Sequence, residues 1–385
     1  MIPYGHQNIN QDDIDAVEKI LRSDFLTQGP AVPAFENVIE KYCDVKYGIA
    51  VNSATSALHI ACLALGVGPG DCVWTTSITF VASANCALYC GATIDFVDID
   101  PLTSNLSIER LSKKLSDAEQ SGRLPKVVIP VHLSGQSCDM ESIFKLSQQY
   151  GFRVIEDASH AIGGRYQNLP IGNCRYSDIT VFSFHPVKII TTGEGGMAVT
   201  NSSVFAKKMR LLRSHGITRD EGDMENVPDG PWYYEQIQLG FNYRMTDIQA
   251  ALGVSQMARV DAYVARRHEI AARYDRMLVG LPLQVPLRDQ DYSAFHLYVI
   301  RLKLDLIART HHDVFVSLRE QGIGVNLHYI PVHTQPYYRE MGFASGDFPE
   351  AERYYCEAIS LPIYPGLSDD DINKVVEALK IAISK

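Results

Sequence analysis

The chain has 385 residues, 46% of them hydrophobic and 21% charged, a balance that excludes global disorder and fits a globular protein. Thirty-five Lys and Arg against 45 Asp and Glu leave a formal net charge of −10. That argues against a nucleic-acid binder, yet leaves room for a local positive pocket around a phosphorylated small molecule.

At about 150 residues per domain the length suggests one large domain and one smaller one. We expect a large domain over residues 1–250, and a bridging helix with a small C-terminal α+β domain over residues 251–385. The start, MIPYGHQNINQDD, has neither a basic nor an apolar leader region, so no targeting segment is expected.

In chain order, GIAV (48–51) reads as a strand before a helix that begins near Ser53. Leu58, Ala61, Cys62 and Leu65 recur there at helical spacing, and Gly66 is the expected stop. CVWT (72–75) follows the turn GVGPGD. The uncharged stretch from Cys72 to Ile94 is broken by Thr, Ser, Asn and Gly, and reads as strand, loop and helix rather than a membrane span.

TIDFVDID (93–100), KVVIPVH (126–132), FRVIED (152–157), DITVFSF (178–184) and GMAVT (196–200) are further strands, with helical spacing around 80–91, 105–119 and 139–150. The strand runs are near-continuously apolar, as in a parallel sheet covered on both faces. Alternating units of this kind imply an open α/β sheet with a ligand crevice at the strand C-terminal ends.

RDEGDMENVPDG (219–230) is expected to be an exposed loop. One long helix is expected over 246–280, then strands in HLYVIRLKL (296–304) and IGVNLHY (323–329), and a closing helix near 369–383. The eight cysteines contain no CxxC pair. They read as buried small hydrophobes in a reducing cytoplasm, and no metal is expected.

Three segments carry chemistry. In SFHPVKIITTGEGG a lysine, Lys188, follows an apolar strand and stands among Pro186, Ile189 and Ile190. Partial desolvation lowers an ammonium pKa and makes a free amine accessible, which a Schiff-base lysine requires. A plain surface lysine after a strand is the rival reading. In FRVIEDASHAIGG, Asp157 closes a strand and points into the crevice. Such a carboxylate can hold a pyridine nitrogen protonated, or simply cap a helix or ligate a metal. In NSATSALHI, small hydroxyl residues open a helix whose N–H groups can seat a phosphate, though Ser and Thr are ordinary caps there.

Phosphate seat, ring-facing aspartate and later lysine stand in the chain order of fold-type-I pyridoxal-phosphate (PLP) enzymes, with Phe80 available to stack on the ring. The chain resembles the DegT-type nucleotide-sugar aminotransferases over nearly its full length. The resemblance lies in YGHQNINQDDIDAV, SDFLTQGPAVPAFE, NSATSALHIACLALGVGPGD, EDASHAIGG, SFHPVKIITTGEGG and GFNYRMTDIQAALG. Within the family, SDFLTQGP, HPVKIITTGEGG and HYIPVHTQPYY are most similar to one branch. That branch aminates C4 of UDP-2-acetamido-2,6-dideoxy-β-L-arabino-hex-4-ulose with L-glutamate, for pseudaminic acid synthesis.

The resemblance implies an α/β, PLP-dependent transferase fold of type I: a mostly parallel central sheet, helices on both faces and a smaller C-terminal domain. It implies that Lys188 bonds the cofactor and shuttles protons, and that Asp157 pairs with the ring nitrogen. His160 would reach the ring hydroxyl, where many relatives carry Gln. Ser183 and the Ala54 and Thr55 backbone would hold the phosphate. Asn242 would reach that phosphate from a neighbouring subunit, making a homodimer with shared sites.

Tyr4, Phe25, Leu26, Thr27, His185, His328, Tyr329, Ile330 and Pro331 would line the pocket for the UDP-linked keto sugar, and Arg244 is a candidate for the donor carboxylates. A dehydrating branch of the family has histidine where this chain has Lys188, so the lysine favours amination. The rivals are a related enzyme acting on another keto sugar, a non-catalytic regulator, and a Rossmann oxidoreductase. Neither GVGPGD nor GEGG has the dinucleotide spacing the last requires.

Overall fold

A computed structural model describes residues 1–287 and 292–384. The first two helices are α1 (Gln11–Leu21) and α2 (Ala31–Cys43). The main sheet then draws on β1 (Tyr47–Val51), β2 (Cys72–Thr76), β3 (Thr93–Val97), β4 (Val127–Ile129), β5 (Arg153–Asp157), β6 (Ile179–Ser183) and β7 (Gly196–Thr200). Between them run α3 (Ala54–Ala64), α4 (Ala82–Tyr89), α5 (Ile108–Gln120) and α6 (Met140–Tyr150), and α7 (Ser203–Arg213) follows β7. The strand order is β1-β7-β6-β5-β4-β2-β3. Only β7 runs antiparallel to its neighbours, so the expectation of a mostly parallel sheet holds.

The apolar continuity of these strands has a packing cause. On one face Ile49, Val73, Phe96, Ile155 and Val181 pack on Leu58, Ala61, Cys86 and Met209 from α3, α4 and α7. On the other face Ala50, Phe182 and Met197 meet Phe35 and Ile39 of α2, while Trp74, Val128 and Val154 meet Leu111 and Ile143 of α5 and α6. With both faces covered, successive side chains are buried in turn, so alternation disappears.

A second core has its own antiparallel sheet, β8 (Leu283–Gln284), β9 (Tyr298–Leu302) and β10 (Ala358–Leu361). There Tyr274, Ile300, Leu318, Val375 and Leu379 are buried together, and the closing helix Asp369–Ser384 lies where expected.

Two sequence expectations need correction. The single helix over 246–280 is two, α8 (Asp247–Met257) and α9 (Val260–Met277). The break falls at Arg259, whose guanidinium is held by Asp13 of α1 and by the Tyr263 hydroxyl. Helical spacing on both sides does not reveal a contact made 246 residues away.

The strand expected over 323–329 shrinks to Ile323–Gly324, which pairs in parallel with Ile2–Pro3. Val325 N–H turns back to the Ile323 carbonyl, so the rest of the segment leaves the pairing. His328 and Tyr329 therefore sit on a loop. That loop reaches the large sheet, where Val332 N–H donates to the Ser77 carbonyl at 2.9 Å.

Candidate active site

One end of the main sheet collects most of the residues expected to hold the cofactor. Strands β1, β5 and β6 end there, and the antiparallel β7 begins there, so Val51, Gly196 and Ser183 lie side by side in register. Ala54 and Thr55 follow β1, Asp157 closes β5, and Lys188 comes shortly after β6. This is the crevice at the strand C-terminal ends that an open α/β sheet provides.

Helix α3 begins with Ser53 as its cap. The Ser53 hydroxyl accepts from Ser56 N–H at 3.1 Å, and Ala57 N–H goes to the Ser53 carbonyl. The first N–H groups of a helix have no partner within it, so those of Ala54 and Thr55 remain directed outward. Gly196 makes this placement possible: a Cβ on it would fall 2.5 Å from the Ala54 nitrogen. Ser183 adds a hydroxyl that makes no hydrogen bond among the described residues, and together they form a donor set suited to a phosphate.

Asp157 is buried. Its Oδ2 accepts from the Ser83 hydroxyl at 2.6 Å, and Oδ1 accepts from Ser159 N–H at 3.1 Å. The cap-like bond and the crevice-facing position therefore coexist. Burial pulls the Lys188 ammonium down to about 8, against the opposing pull of the Asp157 carboxylate. Its amine has no hydrogen-bond or ion-pair partner among the described residues, which fits an amine reserved for chemistry rather than a structural lysine.

His160 is buried, and its two nitrogens are distinct. Ser134 N–H donates to Nδ1 at 3.2 Å, which requires a lone pair there, so Nε2 carries the proton and donates to the Tyr329 hydroxyl at 3.0 Å. Burial holds the His160 ring neutral by lowering its pKa, with the Lys188 charge acting in the same direction. The contact expected from His160 to a ring hydroxyl would therefore be shared with Tyr329. The Phe80 ring is 58% exposed and lies 6.1 Å from Tyr329, so its face is available for stacking.

Of the residues expected on the substrate side, Tyr4 and His328 gather beside Tyr329. Tyr4 stands 5.1 Å from His328 between ring centroids. His328 is fixed by the Ser360 hydroxyl at 2.8 Å, and burial lowers it to about 3, so it stays neutral. Ile330 is exposed and Pro331 buried, while His185 is exposed. Phe25, Leu26 and Thr27 lie on an exposed loop, and no hydrogen bond or ring contact joins them to Lys188 or Tyr329 among the described residues. The base of that loop is anchored by Asp247, which accepts from Gly29 and Ala31 N–H at 2.8 Å each. Asn242 is exposed beside Ser214, and Arg244 pairs through its backbone with Val51.

Sequence reasoning missed several members of this neighbourhood. Thr79 and Ser83, four residues apart in TTSITFVASAN, form a hydroxyl pair at 2.7 Å behind Asp157. Ser77, His333 and Glu352 form a chain, 2.6 Å from Ser77 Oγ to Nδ1 and 3.0 Å from Nε2 to Glu352. The order resembles a nucleophile, base and acid, but Ser77 is fully buried, so the chain is a tether. His296 packs 4.4 Å from His160. Among the described residues no cluster of His, Cys, Asp or Glu is placed to hold a metal, and no helix is long and apolar enough to cross a membrane.

Comparison with known proteins adds to this geometry. The family model described as the DegT/DnrJ/EryC1/StrS aminotransferase family matches residues 7–380. The chain is 39% identical to the Bacillus subtilis spore coat polysaccharide biosynthesis protein SpsC, over 98% of this chain and 96% of that one. It is 36% identical to the UDP-4-amino-4,6-dideoxy-N-acetyl-beta-L-altrosamine transaminase of Campylobacter jejuni, over 100% and 98% of the two chains. Among solved structures it resembles Helicobacter pylori PseC, an aminotransferase involved in the biosynthesis of pseudoaminic acid. That match has a TM-score of 0.91 and 31% identity, and covers 99% of each chain.

Proposed function

The chain belongs to the DegT/DnrJ/EryC1/StrS aminotransferase family, PLP-dependent enzymes of fold type I, and on that premise we propose its substrates and the roles of its residues. It is a sugar aminotransferase. In our reading it moves the amino group of L-glutamate to C4 of UDP-2-acetamido-2,6-dideoxy-β-L-arabino-hex-4-ulose. The product is UDP-4-amino-4,6-dideoxy-N-acetyl-β-L-altrosamine, as the name of the C. jejuni relative suggests. The observation that carries the site is the Lys188 amine, without a hydrogen-bond or ion-pair partner among the described residues, facing Asp157 beside an open phosphate seat; burial lowers its pKa.

PLP, when bound, supplies an electron sink that lets an amino acid's Cα–H bond ionise. The rest is done by the chain. Ala54 and Thr55 N–H and the Ser183 hydroxyl hold the phosphate, Phe80 covers one ring face, and Asp157 keeps a proton on the ring nitrogen. The Lys188 amine would take the proton from the donor's Cα and pass it to the cofactor's C4′ carbon, and in the second half-reaction would carry a proton from that carbon to C4 of the sugar. The face it delivers from sets whether the new amine is axial or equatorial.

Tyr4, Phe25, Leu26, Thr27, His185 and His328 to Pro331 orient the nucleotide sugar, and neutral His328 does so without repelling Lys188. Exposed Asn242 reaches a partner subunit's phosphate seat, so the active form is a homodimer. Residues 1–250 make the cofactor domain and 251–385 the bridging helix and small domain; the small domain has an apolar core of its own, while its Val332, Tyr338 and Tyr354 pack into the core of the large sheet. The eight cysteines are free, in keeping with a cytoplasmic protein.

The test is to load the protein with PLP and add L-glutamate alone. Bleaching of the visible band with release of 2-oxoglutarate supports the donor half-reaction, and a protein that binds no PLP removes it. A panel of UDP-linked keto sugars then reads the acceptor. SpsC, a protein of spore coat polysaccharide biosynthesis, is at least as similar, which favours a second reading: the same amination on another nucleotide-linked keto sugar.

A further inference from the structure

We propose that Ser83, backed by Thr79, is a positioning residue for the amination: a hydroxyl relay that fixes the Asp157 carboxylate in the orientation that holds the cofactor's ring nitrogen protonated. This rests on the reading of Asp157 as that nitrogen's partner.

The directions of the hydrogen bonds follow from chemistry. An ionised carboxylate can only accept, so at 2.6 Å Ser83 Oγ–H donates to Asp157 Oδ2. Its one proton being spent, the Ser83 oxygen accepts from Thr79 Oγ–H at 2.7 Å. Thr79 and Ser83 stand four residues apart, either side of the start of α4, and are 2% and 0% exposed, so water does not substitute for either.

The opposite oxygen is held by Ser159 N–H. The backbone is held as well: Asp157 N–H donates to Pro130 and its carbonyl accepts from His132 N–H. The carboxylate is thus gripped on both oxygens, once by its own loop and once by α4. The second grip depends on a single side chain. Hydrogen bonds to charged, buried groups are the strong ones. Without Ser83, Oδ2 loses its donor in a site that water does not reach, and the carboxylate turns away from one fixed direction.

The experiment uses full-length protein loaded with PLP labelled with 15N in the ring, and reads the nitrogen's chemical shift, which reports its protonation. Thermal melts confirm folding. Wild type is expected at the protonated shift. Ser83→Ala is expected to move toward the neutral shift, with kcat about tenfold to a hundredfold lower, the worth of one hydrogen bond to a charged group, and an unchanged KM for the sugar. Thr79→Val keeps the shape, does not touch Asp157, and is expected to move the shift the same way by less, with kcat about threefold lower.

A folded Ser83→Ala protein with the wild-type shift overturns the proposal. If that variant does not fold, Thr79→Val decides alone: a moved shift supports the relay and an unmoved one overturns it. Asp157→Asn tests the premise separately. A wild-type shift there would remove Asp157 from the ring nitrogen, a failure distinguishable from a relay that does not matter.

Discussion

The two sides of the candidate site are built in opposite ways. The side proposed to hold the cofactor stands at strand ends: Asp157 is gripped on both oxygens, Ala54 and Thr55 are set by a capped helix against Gly196, and Lys188 comes five residues after β6. The side proposed for the sugar is made of loops. Phe25, Leu26 and Ile330 are each about half exposed, and Tyr329 is carried on a segment that has left its strand pairing. The lesson is that a fixed reaction needs groups that do not move, whereas recognition of a bulky nucleotide sugar needs surface that stays open until the ligand, or another subunit, covers it.

The largest test of the cofactor side is Lys188→Ala. It should keep noncovalently bound PLP yet lower turnover at least about 10³-fold, since the proposed proton shuttle is lost. Near-full activity would sink the mechanism. Gly196→Ala is next. Its Cβ would press on the Ala54 nitrogen and the Ser53 carbonyl, both backbone, so the helix start must shift. PLP affinity should fall about 10²-fold, measured by fluorescence titration, with stability lowered by about 1–3 kcal/mol. Unchanged PLP affinity would show that the seat is not where phosphate binds.

The join between the two sides is the Ser77–His333–Glu352 tether. His333→Ala strands the buried Ser77 hydroxyl and removes one of the donors to Glu352, which keeps Ser345 and Gly346, and should cost about 1–3 kcal/mol in urea unfolding. Because the tether holds the loop that carries Tyr329, the sugar KM should rise about tenfold while the glutamate half-reaction changes little. Equal damage to both would mean the two sides are one unit.

A gentler probe is pH. In the cofactor-free protein Lys188 titrates near 8, against an ordinary 10.5. Between those values the unfolded chain holds a proton that the folded one has released. Stability from this residue therefore rises with pH across about 8 to 10.5 and sits at its lower plateau below 8. The measurement is the difference in urea midpoint between wild type and Lys188→Met across that window. A difference that does not change with pH would place Lys188 in water.

How much of this was legible follows the same division. Asp157 and Lys188 each stand just after an apolar run, and Ser53 opens a helix, so a strand-end site announces itself locally. The partners that fix those residues do not. Ser83 reaches Asp157 across 74 positions and Ser77 reaches His333 across 256. The pair Thr79 and Ser83 shows helical spacing, but nothing local says what it faces. The break between α8 and α9 was hidden for the same reason, since Arg259 is fixed from α1. Periodicity reports which face is apolar. It carries no record of which distant group a polar residue meets.

The smallest effect is expected from Phe25→Ala, and it is the sharpest test of the sugar side. Phe25 is 53% exposed, so truncation removes little packing and folding stability should stay within about 0.5 kcal/mol. The loop keeps its shape, because its base is held by Asp247 through Gly29, Ala31 and the Leu26 carbonyl, none of which needs the ring. If the ring covers the nucleotide sugar, its loss gives up roughly 1 kcal/mol of burial, a sugar KM about three- to tenfold higher at nearly constant kcat. The glutamate half-reaction, run without sugar, should not change. A slower half-reaction would place Phe25 with the donor and dissolve the division between the sides. An unchanged KM together with a dimer that falls apart on dilution would assign the exposed ring to the subunit interface instead.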